Sequence, residues 1–501
     1  MKSPYFTSEH ALFRQSLREF FRTECRPHFD SWEEARQIPR SMWRRLGDMG
    51  YLGLEHAGEW GGSAADFFYS VVFLEELARA GNGGFATAVS VHSYMATNHL
   101  ARCGSPELKE RFLKPAIAGE MIAALGISEP AAGSDVAGIR CAARREGDEY
   151  VVNGGKNFIS NGFYADFIVT AVQAEEGISL LLIEGDRPGV TRTKLRKMGW
   201  HSSDTAEIGF ADVRVPVSNL VGEPGKGFYY IMDSFQVERL AAGALALGAM
   251  DGILELTLRY MHEREAFGRP ISRFQALRHQ IADLATEVEA CRQFVHHTAW
   301  LHTQGEYVVK ECSMVKLMAS ELANKVVDRC LQLFGGYGYI EEYAICRAYR
   351  DARVGTIAGG TSEIMREIIS KMVVDGVTYQ EAYQEPSAAQ APDPAARQIV
   401  ESLPGRFRAD KAGSYETCIH YDISGPRGGQ YTIAVAAGQC TVQPGFTGEA
   451  RCRIRVADEV YEQLELGRLD AQSAFMQGLI SASNPGELMQ IARLFRKYSR
   501  N

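Results

Sequence analysis

Apolar residues along this 501-residue chain recur every three to four positions, then alternate every second position, then return to the longer period, and that double switch limits the folds open to it. From Ser8 to about Gly119, residues such as Leu12, Leu17, Phe20 and Phe21 mark helices separated by glycine-punctuated loops. From Met121 to Pro216 the pattern is that of strands: Tyr150–Val152 running into a turn at Asn153-Gly154-Gly155, then Phe167–Val172 and Ile178–Ile183. Helical periods resume over Leu240–His262, Phe274–His302 and Tyr307–Phe334. The stretch Tyr379–Arg397 is rich in Ala, Gln and Pro and poor in apolar anchors, as a linker is. Beyond it, strands at Thr417–Ile423, Tyr431–Ala436 and Arg451–Val456 precede amphipathic segments at Tyr461–Leu466 and Ala471–Leu479 and a helix over Pro485–Tyr498.

The expected organisation is α+β and multidomain: an N-terminal α-helical domain (1–120), a central β-domain (121–223), an α-domain resembling a four-helix bundle (224–378), a linker (379–394) and a small α+β unit (395–501). A formal charge of −8 with both signs interleaved offers no basic stripe, so nucleic acid is not an expected partner. Ten cysteines without a C-x-x-C pair or a His-rich neighbour predict reduced thiols and no metal site. The first residues have neither an apolar signal segment nor an Arg-rich transit pattern, and the expected location is cytoplasmic. The most apolar stretch, Leu240–Leu256, is broken by Gly243, Gly248, Asp251, Gly252 and Glu255, so it predicts a buried helix and no transmembrane segment.

Four segments carry chemistry. Gly126-Ile-Ser-Glu-Pro-Ala-Ala-Gly-Ser-Asp135 is a strand end turning at Pro130, and Asn157-Phe-Ile-Ser-Asn-Gly162 follows it. Arg264-Glu-Ala-Phe-Gly-Arg-Pro-Ile271, read as helical, precedes Gln275, and Gln332-Leu-Phe-Gly-Gly-Tyr-Gly-Tyr339 closes a helix. In this order, over about 375 residues, they resemble the acyl-CoA dehydrogenase family. The resemblance implies an FAD flavoprotein that desaturates acyl-CoA at the α,β position in fatty acid metabolism and passes electrons to an electron-transfer flavoprotein.

It assigns flavin contacts to Leu125, Ile127, Ser128, Ser134, Phe158 and Ser160, the last beside the N5 edge. Arg264 would pair with the FAD pyrophosphate, with Gln275, Gln332, Gly335, Gly336, Thr361 and Glu363 completing the set. The Gly335-Gly336 turn would approach the cofactor of a neighbouring subunit, implying a homo-oligomer, expected to be a tetramer.

Many members carry their catalytic glutamate in a Y-E-G-T loop, but the matching residues here are Ala358-Gly359-Gly360-Thr361. The long-chain and isovaleryl branches take it from a helix instead, within a segment matched by Phe235-Gln-Val-Glu-Arg239, so Glu238 is the expected base. A carboxylate in a water-poor pocket suits removal of a thioester α-proton. The Gly359 N–H and a flavin ribityl hydroxyl would hold the thioester oxygen. Ser134, Tyr229, Gln236, Arg239, Gly359 and Gly360 are the expected substrate contacts, while Asp251, Glu255 and Glu263 read as a solvated helix face.

The motifs lie nearest the long-chain branch, favouring a long or branched acyl chain. The last hundred residues, through Leu466-Gly-Arg-Leu-Asp-Ala-Gln-Ser-Ala-Phe-Met-Gln-Gly478, resemble the sterol-carrier-protein type of lipid-binding fold, a five-stranded sheet with helices. Phe475, Met476 and Leu479 would line a lipid tunnel or simply the small domain's core. Two other readings compete: a noncatalytic lipid carrier or scaffold on a dehydrogenase shell, and an enzyme of the same shell acting on a carrier-protein-tethered chain or using oxygen as acceptor.

Overall fold

A computed structural model describes residues 4–378, 396–413, 415–466, 469, 474, 479–496 and 498. The chain forms two compact units, residues 1–383 and 384–501.

In the first unit, helix Phe67–Arg79 is buried on nearly every face and is the centre of the N-terminal helical layer. Asp66 caps it, accepting the Phe68 N–H at 2.9 Å. Its two buried acids are paired: Glu75 with Arg14 (2.7 Å) and with His296 (2.7 Å), Glu76 with Arg14 (2.8 Å) and Arg18 (2.9 Å). His296 belongs to helix Gln275–Thr303, so the Glu75 contact ties the first helical layer to the second. Helix Gly83–Ser90 follows, capped by Asn82, and continues into a π-helical segment, Val91–Ala96.

The central sheet has the order β6 (Val190–Lys194), β7 (Thr205–Pro216), β3 (Glu149–Ser160), β2 (Ala142–Glu146), β4 (Phe167–Ala174), β5 (Gly177–Glu184) and β8 (Leu220–Val221), with β1 (Ala123–Gly126) parallel to β4. Asn153-Gly154-Gly155 is not the expected turn. It is a bulge inside one long strand, where the pairing of β3 with β7 slips between Val152 and Gly154. Gly154 adopts φ +145°, and a Cβ there would lie 2.8 Å from the Cys141 Cα, which explains the glycine.

The second helical layer is built on one helix of 37 residues, Gly227–Glu263, starting thirteen residues earlier than the apolar period predicts. Helices Gln275–Thr303, Val309–Phe334 and Ser362–Val373 complete the bundle, with the shorter Ala344–Ala352 beside them. By length and composition the long helix could cross a bilayer. Here it is a core helix, its Leu240, Ala241, Ala244, Leu247 and Met250 buried in the main hydrophobic cluster. It packs so closely on the central helix that a Cβ on Gly248 would meet the Glu75 carbonyl oxygen at 1.9 Å. The segment after it is not helical: β9 (Glu265–Ala266) and β10 (Arg269–Pro270) form a small hairpin with Phe267 at φ +52°.

The second unit holds a five-stranded sheet in the order β13 (Gln439–Pro444), β12 (Gly429–Ala436), β11 (Thr417–Ser424), β14 (Cys452–Ala457) and β15 (Ile480–Ala482). Ile419, Ile433, Val435 and Ile454 form its core with Tyr461 of helix Asp458–Glu465. The last helix is Pro485–Ala492, shorter than expected because Phe495 leaves it to bridge Phe407. Phe475 and Met476 lie outside the described residues. Leu479 is described and is 41% exposed. All ten cysteines are free thiols.

Candidate active site

The long helix turns one face to a cavity of about 430 Å³. Phe235, Glu238, Arg239, Ala242, Ala246 and Ala249 lie on that face at three- and four-residue spacing. Helix Gly83–Ser90, helix Ala344–Ala352 and the Ala358-Gly359 loop supply the remaining walls.

Glu238 is buried. Its Oε1 accepts from Ser234 Oγ at 3.2 Å. Burial pushes its carboxyl up to about 7, against the opposing pull of the Ser234 hydrogen bond and the Arg239 charge. His99 Nε2 lies 3.9 Å from the same oxygen and among the described residues has no hydrogen-bond partner. Burial, aided by Arg102, pushes this imidazole down to about 4, so it is neutral and adds no positive charge beside the carboxyl. A carboxyl with this setting is close to half-ionised at neutral pH, which suits a general base.

Gly359 borders the same cavity at φ +65°, a conformation that favours glycine, with open space where a side chain would project. Lys316 fixes the loop by donating to the Gly360 carbonyl, and Arg239 Nη1 donates to Ser313 Oγ at 3.3 Å. The structure therefore brings Glu238, Arg239 and Gly359 to one cavity. Gln236 faces elsewhere, lining a separate cavity with Asn98 and His302. Tyr229 is half exposed in the first turn of the long helix, with Lys226 Nζ 5.5 Å from its ring.

The flavin candidates fall into two sets. Leu125 lies on β1, and Ile127, Ser128 and Ser134 follow in the loop, with the Ser128 carbonyl accepting the Asn157 N–H at 2.8 Å. Phe158 and Ser160 lie on β3. Phe158 is held at φ +62° and is 68% exposed, an aromatic side chain kept out of the core by a conformation non-glycine residues rarely adopt. An exposed aromatic face beside a half-buried serine and the open loop at Gly133 fits an isoalloxazine ring.

The second set is at the other end of the bundle. Arg264 follows the long helix, its guanidinium 5.6 Å from the Tyr337 ring, and Gln275 starts the next helix. Gln332 is exposed near the end of helix Val309–Phe334. Gly335 (φ +59°) and Gly336 are open to any approaching group. Thr361 and Glu363 belong instead with the cavity loop: Thr361 follows Gly359-Gly360 and caps helix Ser362–Val373 by accepting the Ile364 N–H at 3.2 Å, and Glu363 is exposed in the first turn of that helix. Among the described residues no hydrogen bond or ion pair joins Arg264, Gln332 or the glycines to the β-strand set.

Sequence reasoning missed several supports. Glu129 is clamped by Lys156 Nζ at 2.7 Å and by the Arg140 and Cys141 N–H groups at 2.7 and 3.0 Å, which pins the flavin loop to β3. Asp351, which burial pushes up to about 7, accepts the Gly83 and Trp200 N–H groups at 3.1 and 2.6 Å. Glu129 and Lys156 sat inside the recognised motifs without a role, whereas nothing local signals Trp200 or Asp351. Asp251 and Glu255, read as solvated, are paired with Arg292 and Arg79. Among the described residues no group of His, Cys, Asp or Glu could hold a metal.

A helical layer, a β-sheet and a helical bundle, with a buried base facing an open glycine loop, define a flavin-dependent dehydrogenase of thioesters. Residues 7–120, 124–213 and 225–374 match the N-terminal, middle and C-terminal domains of acyl-CoA dehydrogenase, and residues 390–496 match the SCP-2 sterol transfer family. The rat mitochondrial long-chain specific acyl-CoA dehydrogenase is 41% identical over 377 residues, 74% of this chain and 87% of the relative. The crystal structure of an acyl-CoA dehydrogenase from Geobacillus kaustophilus superposes with TM-score 0.72 at 42% identity, covering 74% of this chain and all of that one. A Mycobacterium smegmatis glutaryl-CoA dehydrogenase in complex with FADH2 gives TM-score 0.72 at 27% identity, covering 75% and 97%. The chain belongs to the acyl-CoA dehydrogenase family and carries an SCP-2 domain at its C-terminal end. Its cofactor is FAD.

Proposed function

We propose that this enzyme converts long-chain acyl-CoA to the trans-2-enoyl-CoA, with Glu238 as base. The observation that carries the reading is Glu238 itself, buried on a cavity shared with Gly359, its carboxyl pushed up to about 7. The carboxylate takes the α-proton, and the Gly359 N–H receives the charge that develops on the thioester oxygen. FAD, when bound, supplies the acceptor for the β-hydride. Leu125, Ile127, Ser128, Ser134, Phe158, Ser160, Thr361 and Glu363 hold it, while Arg264, Gln275, Gln332, Gly335 and Gly336 reach it from a neighbouring subunit. Among the described residues no hydrogen bond or ion pair joins the two sets, which supports a homo-oligomer, proposed as a tetramer. Ser134, Tyr229, Arg239 and Gly360 contact the substrate; Gln236 shapes the helix beside it.

A long acyl chain is favoured because the cavity continues from Glu238 along Ala242, Ala246 and Ala249, small residues on one face of the helix, to Leu256. The rat relative's long-chain specificity agrees. Electrons leave to an electron-transfer flavoprotein, the enzyme works in the cytoplasm, and the SCP-2 domain binds the lipid chain.

The test is anaerobic bleaching of the flavin by a C4-to-C18 acyl-CoA series, wild type against Glu238→Gln. The wild type should bleach with the longer chains, and the variant should keep its FAD and stay yellow. If neither bleaches, the noncatalytic carrier becomes the better reading, and bleaching of both removes Glu238 as the required base. Reoxidation by electron-transfer flavoprotein against oxygen separates the two acceptors.

A further inference from the structure

The cavity does not end among apolar residues. Its wall includes Arg26, Arg79, Arg259 and Arg347 at the end away from Glu238. The carboxylates nearby are committed. Glu255 pairs with Arg79, whose Nε lies 3.3 Å from it, and Asp30 pairs with Arg347 at 2.7 Å. Asp351 accepts two backbone N–H groups. Arg26 donates to the Ala80 carbonyl at 3.0 Å, and among the described residues neither Arg26 nor Arg259 has a carboxylate within ion-pair distance. Burial, then the charges of Arg259 and Arg79, hold the Arg26 guanidinium below its usual range, with Glu255 opposing. Arg26 and Arg259 are both exposed, so these guanidinium groups form a positive, solvent-facing site at the end of an otherwise apolar channel.

An unsubstituted methyl end gains nothing from that site, whereas a carboxylate would accept charge-assisted bonds from planar donors that fit it. We infer that the distal end of the cavity is a carboxylate-binding subsite, and that the preferred substrates are ω-carboxyacyl-CoA thioesters, long chains with an acid group at the end away from CoA. The helix supplies the length. Glu238 and Arg259 are 21 residues apart on it, about 30 Å at 1.5 Å per residue. An extended chain advances about 1.2 Å per bond, and the arginine side chains reach inward by several ångströms, so the fitting acyl chains have about 16 to 20 carbons. The inference rests on the dehydrogenase reading above and adds to it the identity of the far end.

The experiment uses the FAD-loaded enzyme. kcat/KM is measured for unsubstituted, ω-hydroxy and ω-carboxy acyl-CoA from C8 to C20, with wild type, Arg26→Leu and Arg259→Leu. In the wild type the ω-carboxy chain should exceed the unsubstituted chain of equal length by about twofold to tenfold near the fitting length. The ω-hydroxy chain should gain little. Each variant should bring the ratio of ω-carboxy to unsubstituted rates towards one. A wild type without that preference at any length overturns the inference while leaving the dehydrogenase reading intact, and so does a preference that survives both substitutions. A wild type that oxidises none of these thioesters removes both together.

Discussion

Glu238 shows how much one buried group can reveal. Its carboxyl stands at about 7 in the folded protein against an ordinary 4.5. Only the ionised form can take a proton, so kcat/KM should rise with pH along a limb of apparent pKa near 7, and Glu238→Gln should lower kcat by on the order of 10²–10⁴-fold while FAD stays bound. Stability runs the opposite way. A raised carboxyl pKa stabilises the fold fully below the unfolded value and loses that contribution as pH rises through about 7. Glu238→Gln, which never ionises, should therefore gain on the wild type between pH 5 and pH 9, by roughly 3 kcal/mol at the upper end. Thermal melts of both proteins at the two pH values check it. Glu238 and Gly359 were legible because each sits in a recognisable short segment. His99 and Asp351 were not, because their roles come from contacts far along the chain, Asp351 meeting Trp200 across 151 positions.

Among the elements, the long helix sets the most constraints. Gly248→Ala should cost about 1–3 kcal/mol, because the added methyl would collide with the Glu75 carbonyl oxygen 1.9 Å away and the two helices cannot both stay in place. Ala249→Phe should act on length rather than stability. It sits 11 residues from Glu238, about 16 Å along the axis, so C18 turnover should fall while C8 turnover persists, as a chain-length profile would reveal. The apolar period found this helix from Leu240 onward and missed its first turns, where Asp233, Gln236, Glu238 and Arg239 replace the expected apolar residues. Function wrote over the pattern there. Edge strand β13, with polar Gln439, Thr441 and Gln443, and the three-residue β15 escaped for a simpler reason, having too little apolar alternation to register.

For the whole molecule, the chain divides into two compact units, residues 1–383 and 384–501. Calorimetry should resolve two transitions, and truncation after Val377 should leave flavin reduction by soluble acyl-CoA intact while removing the lower-mass transition. Arg264 and the Gly335-Gly336 turn could be recognised one by one, but not the packing of the Arg264 guanidinium 5.6 Å from the Tyr337 ring, which only the folded chain reveals. Joining an oxidoreductase and an SCP-2 domain in one polypeptide also fixes their ratio at one to one. On the proposed lipid-binding reading, a lipid released by the second unit meets the first at an effective concentration set by the length of the tether. Such a hand-over is a first-order event. Dilution, which would starve two separate proteins of each other, leaves it untouched.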